Sequence, residues 1–150
     1  MLRIVSDPRL NLVFVHMSIP HLPAIYLASG DTISTGSATT YLDNLRLVDR
    51  TIRDLRQSLE ESGMWDTSTI LLTADHPLRV RPERVQTSLS AVQHAEVPYL
   101  LKMAGQKQGL AYDTPMQEIV TKSLLLAILN GEVATPSRVA AWLDQNPPRQ

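Results

Sequence analysis

Apolar positions along the chain fall into short continuous runs and longer spaced stripes. Asn11–His16 (NLVFVH) and Thr69–Thr73 (TILLT) are compact and apolar, with no turn former inside them. Each reads as a buried strand. Val97–Lys102 (VPYLLK) resembles a third, with Pro98 confining it to an edge or a strand start. Between Tyr41 and Ser62 the period changes. Leu42, Leu45, Ile52, Leu55 and Leu59 recur at threes, fours and sevens, the single apolar stripe of a helix. Asp49 with Arg53, and Arg50 with Asp54, are opposite charges four apart on its solvated side. Thr39 or Thr40 suits the cap, and Gly63 suits the left-handed position after the end.

Thr114-Pro115-Met116-Gln117 has the form of a second helix start: cap, proline, capping-box glutamine. Met116, Ile119, Val120, Leu124, Ala127 and Ile128 follow as a core stripe up to Gly131. Thr135-Pro136 opens a short last helix with Val139, Trp142 and Leu143 inward, ended by Pro147-Pro148. The succession of strand, helix and strand from Asn11 to Thr73 argues for a parallel pair with a right-handed crossover. The pattern therefore predicts an α/β fold: at least three strands in one sheet, packed against helices over 41–62 and 115–130.

Composition narrows this only a little. A chain of 150 residues, 43% hydrophobic and 19% charged, is an ordinary single globular domain. A net charge of −1 gives no electrostatic case for nucleic acid or an anionic membrane. The sequence holds no cysteine, which removes disulfides and thiolate metal sites from consideration. No apolar run reaches bilayer length, and no signal pattern is legible at the start, so localisation stays open.

Candidate chemistry gathers where the second strand ends. Asp75 and His76 would point to opposite faces if the strand continued. Pro77 removes a ladder donor and keeps His76 out of the helical region, so the strand is expected to stop and leave the pair at its open end. A carboxylate beside an imidazole suits a Zn²⁺-like or Mn²⁺-like ion. The plainer alternative is an aspartate that starts a turn beside an exposed histidine. His21 lies between Pro20 and Pro23 on a stiffened loop just past the first strand, and is a better ligand candidate than His16. The Ala28–Ala38 stretch (ASGDTISTGSA) reads as a loop whose hydroxyls are ordinary there, with no base nearby in sequence. Arg79, Arg81 and Arg84 either grip an anionic group or form a solvated loop.

The ordered set VHMSIPHLP, TTYLDNLRLVDRTIRDLRQSLEESGMWDTSTILLTADHP and VPYLLKMAG is similar to the C-terminal half of sulfatases, in the alkaline phosphatase superfamily. That family has a PHxP loop, then a Y-x-D/N-N-x-x-x-x-D helix, then a strand ending T-S-D-H/N-G. The resemblance implies a partial alkaline-phosphatase-like sandwich with a mostly parallel sheet. It implies that Asp75 and His76 are late metal ligands, for zinc or manganese when His follows Asp, with calcium the alternative. It implies that His21 touches the transferred sulfate or phosphate. His16 and His94 lie near positions where some relatives keep active-site histidines. Pro77 departs from the family's glycine.

The family's nucleophile motif, C/S-x-P-S-R, has one near match, Ala134-Thr135-Pro136-Ser137-Arg138, with alanine at the reacting position and on the wrong side of Asp75-His76. The resemblance thus implies the C-terminal portion of a metal-dependent sulfuric or phosphoric ester hydrolase, without its N-terminal half or nucleophile. Its partners would be a sulfate or phosphate ester and either a separate N-terminal half or a second copy, with no nucleic acid. Relatives are often periplasmic, secreted or membrane-anchored. Alone, the chain is expected to be inactive. The alternative is an inert remnant or interaction module that keeps the fold. Asp75, His76 and His21 are expected to cluster at the carboxyl ends of adjacent strands.

Overall fold

The computed structural model describes residues 1–34, 39–77 and 96–147. The chain forms two compact units, the first holding Met1–Trp65 and the second holding Asp66–Pro77 with the chain from His94 onward. Both mix helices with a small sheet, so the fold is α/β.

The first unit is built on one long helix. After a short helix α1 (Leu2–Val5), strands β1 (Tyr26–Leu27) and β2 (Thr32–Ile33) pair antiparallel across a 3-10 turn at Ala28–Gly30. Asp31 takes the left-handed conformation at the turn (φ 47°), which aspartate tolerates better than most residues. Its carboxylate accepts a hydrogen bond from the Tyr26 hydroxyl at 2.6 Å and pairs with the Arg50 guanidinium.

Helix α2 (Tyr41–Glu61) spans the predicted range, and Thr40, not Thr39, is its cap. The Thr40 hydroxyl accepts from the Asp43 N–H, and the Asp43 carboxylate accepts from the Thr40 N–H at 2.9 Å, a reciprocal capping box. Gly63 follows the helix at φ 70°, as the sequence predicts. α2 packs on α1 and β1. Of its expected stripe Leu59 is buried, whereas Leu42, Leu45 and Ile52 are exposed. The Arg50–Asp54 pair is present at 3.9 Å, while Arg53 lies 3.8 Å from Asp54.

Asn11–His16 is a correction. The run is apolar but forms no strand, and Phe14 is 87% exposed. Strand propensity describes fitness for a pleated surface, and no neighbouring strand among the described residues offers one. The loop expected at Ala28–Ala38 contains β2, and residues 35–38 lie outside the described residues.

In the second unit, β3 (Ile70–Thr73) and β4 (Tyr99–Lys102) match the two remaining strand expectations closely. They pair antiparallel, Ile70 opposite Lys102 and Thr73 opposite Tyr99. The expected parallel sheet is therefore not what these residues form. Both sheets of the described residues are antiparallel and two-stranded, and the crossover argument failed because it needed Asn11–His16 as its first strand.

Residues 115–117 are not helical either. A 3-10 turn at Glu118–Val120 leads into α3 (Thr121–Leu129), so the Thr114-Pro115 cap signal is overridden. The Tyr112 hydroxyl donates to Asp144 at 2.8 Å, and Tyr112 and Met116 pack on the core, holding this stretch across it. Helix α4 (Pro136–Gln145) begins as expected, with Thr135 accepting from the Arg138 N–H at 3.3 Å. Val120, Leu124, Ala127, Val133 and Leu143 form the core, flanked by Val139 and Trp142. Ile119, placed on the core stripe by its spacing, is exposed.

Candidate functional site

Two segments carry the candidate chemistry, one in each unit. In the first, Ile19–Pro20 and Leu22–Pro23 are cis and bracket His21. Proline supplies no N–H, so between Pro20 and Pro23 only His21 and Leu22 offer backbone donors. The His21 N–H goes to the Ser18 carbonyl at 2.9 Å. The carbonyls of Pro20 and His21 both accept from one side-chain amide, Asn44 Nδ2, at 3.3 and 3.0 Å. Asn44 Oδ1 in turn accepts from the Ile25 N–H at 2.9 Å. The His21 side chain is exposed, with Nδ1 against the Leu22 carbonyl. His16 is also exposed, on the irregular run before this loop.

In the second unit, β3 stops at Thr73 as Pro77 requires, and Asp75 and His76 occupy the bend beyond it. His76 Nδ1 lies 2.8 Å from the Pro77 carbonyl. A carbonyl can only accept, so this contact assigns the donor role to Nδ1. Nε2 is 4.0 Å from Asp75 Oδ1, the nitrogen and oxygen a metal ion would use. Donors on adjacent corners of a tetrahedral zinc ion, at bond lengths near 2.0–2.1 Å, stand about 3.3 Å apart. The pair is thus wider than a chelate by less than an ångström, and the Asp75 side chain, 80% exposed, is free to close that gap by rotation. One imidazole and one carboxylate fit part of a divalent-metal set. Among the described residues no group of three or more His, Asp or Glu side chains is placed to hold an ion.

Around the same strand end, the Thr73 hydroxyl donates to the Glu118 carboxylate. Tyr99, opposite Thr73, lies 3.2 Å from Thr121 Oγ1, and burial pushes its phenol above the usual range, so it stays protonated at neutral pH. Of the sequence candidates, the structure brings Asp75 and His76 together. His21 belongs to the other unit. His94 and the Arg79, Arg81 and Arg84 cluster lie outside the described residues. Ala134–Arg138, the near match to a nucleophile motif, is the start of α4, which accounts for its Thr-Pro in full.

Sequence reasoning gave Asn44 no role, although it stands at the asparagine of the Y-x-D/N-N motif. A signal was available: Asn44, Val48, Leu55 and Leu59 are spaced four, seven and four, so an amide sits in line with apolar helix positions.

The model of the family described as Sulfatase matches residues 10–126, most of the chain, and spans the His21 loop, α2 and the Asp75-His76 bend. This chain belongs to the sulfatase family. No curated protein and no solved structure matches it. Members of the family are sulfatase-like hydrolases acting on sulfate esters, and generally use a divalent metal. No helix among the described residues is long and apolar enough to cross a membrane.

Proposed function

We propose that the chain supplies the late metal-ligating and substrate-contacting residues of a metal-dependent sulfuric or phosphoric ester hydrolase. The observation that carries this reading is a single family match that includes both the PHLP loop and the Asp75-His76 strand end. Asp75 and His76 would hold the ion through Oδ1 and Nε2, with zinc or manganese favoured by the imidazole and calcium the alternative. Bound there, a divalent ion supplies charge stabilisation for the transferred group and activation of a nucleophile. His21, exposed on a fixed loop, would contact the oxygens of that group, acting as a hydrogen-bond donor to developing negative charge. His94 is retained as a further candidate contact.

The nucleophile and the early acidic ligands are proposed to come from outside these 150 residues, since the sequence carries no C/S-x-P-S-R motif. In this reading β3 and β4, whose apolar residues are half-buried or, at Leu100, exposed, belong to a larger sheet completed by that second part, with parallel strands beyond the antiparallel pair described. A catalytic zinc takes three protein ligands, so two leave the ion loosely held and the chain inactive by itself. Aryl sulfate, phosphate and phosphonate esters, assayed with Zn²⁺, Mn²⁺ or Ca²⁺, test this. No turnover by the chain alone is expected, and turnover with a separately expressed N-terminal half, abolished by His76→Ala. Metal-dependent turnover by the chain alone would overturn the assignment of the nucleophile elsewhere.

A further inference from the structure

We propose that Asn44 is the positioning residue for His21. Asn44 is 0% exposed and is the one buried polar side chain among the described residues. Its amide meets three backbone groups: it donates to the carbonyls of Pro20 and His21 at 3.3 and 3.0 Å, and accepts from the Ile25 N–H at 2.9 Å. The first two carbonyls belong to the peptide planes on either side of the His21 Cα. Holding both planes fixes φ and ψ of His21, and with them the direction of its Cα–Cβ bond. The grip is stiff at its other end, because Asn44 lies in the first turn of α2, directly after the Thr40–Asp43 capping box. Thr39 adds a second tie, its hydroxyl donating to the Ala24 carbonyl at 2.9 Å.

The chemistry also explains why the residue is asparagine. Pro20 and Pro23 remove donors from the loop, so its carbonyls need a donor from elsewhere, while the Ile25 N–H needs an acceptor. Only a side chain with both functions meets all three groups from one place. Aspartate keeps the acceptor and loses the donors. Leucine keeps the volume and loses both.

The catalytic consequence rests on the reading of His21 as an oxyanion contact, but the positioning does not, and the experiment separates them. Imidazole ¹H–¹³C spectra and amide exchange are recorded on the full chain and on Asn44→Asp and Asn44→Leu. In the wild type, the Asn44 side-chain NH₂ protons should exchange at least about tenfold more slowly than those of exposed Asn11. In the variants, the His21 ring signal should shift or broaden and its amide should exchange faster, while the amides of Leu124 and Ala127 hold their protection. Asn44→Asp should disturb His21 while sparing the Ile25 amide more than Asn44→Leu does. If either variant fails to fold, the wild-type exchange of the Asn44 amide still decides. Asn44 protons exchanging as fast as those of Asn11, or a His21 ring unchanged in both folded variants, would overturn the proposal. A sulfate titration of the wild type, followed at the same His21 signal, tests the oxyanion reading by itself.

Discussion

The His21 loop and the Asp75-His76 bend are placed by different physics. His21 is held by tertiary bonds: one buried amide, reaching from a helix more than twenty positions away in sequence, grips the peptides around it. Asp75 and His76 are placed by local rules: a strand runs, a proline stops it, and the imidazole bonds the very next carbonyl. The first arrangement is stiff and depends on a distant residue. The second is set by the end of a strand and a proline, and leaves Asp75 exposed to solvent. A loop that contacts a transferred group benefits from stiffness, because misplacement there costs rate steeply. A metal ligand can rotate into place as the ion binds.

The two regions should therefore respond differently to substitution. The largest effect belongs to the core beneath the second region. Leu124→Ala empties a fully buried site and should cost about 2–5 kcal/mol in denaturant unfolding followed by signals of the second unit. Next comes Asn44→Leu, which leaves two carbonyls and one N–H without their partner, at about 1–3 kcal/mol in total because the exposed His21 loop lets water reach some of them. If that variant is as stable as the wild type, the contrast drawn between the two regions is lost.

Thr40→Ala should cost about 1 kcal/mol by removing the cap of α2. The same cap has a pH signature. The Thr40 hydroxyl and then its N–H hold the Asp43 carboxyl below the usual carboxylate range. A depressed folded value means that this contribution is present above the unfolded pKa and is lost as pH falls through the folded one. Acid unfolding of the first unit should therefore show this proton uptake, and Thr40→Ala should diminish it. His76→Ala should have the smallest effect, about 0.5 kcal/mol, since the residue sits on a bend beyond β3 and its Nδ1 bonds the adjacent Pro77 carbonyl.

The local region was also the more legible one. β3, β4, the stop before Pro77, the length of α2 and the start of α4 follow from runs, periods, caps and a proline, and each stands where the sequence puts it. What could not be read depended on a distant partner. Asn11–His16 has a strand's residues without a neighbouring strand, and Thr114–Gln117 has a helix's cap signal yet is held on the core through Tyr112 and Met116. Asn44 looked like one more polar helix residue, because its partners lie on another segment. The described residues form no parallel pair for the same reason: antiparallel pairing of β3 with β4 is a choice between non-local neighbours, which residue patterns do not encode.

The central claim, that Asp75 and His76 are metal ligands, is tested most directly by calorimetric titration of Zn²⁺ and Mn²⁺ into the chain and into His76→Ala. The account predicts saturable binding of one ion, weakened about tenfold or more by the substitution. Indistinguishable isotherms for the two proteins would contradict it.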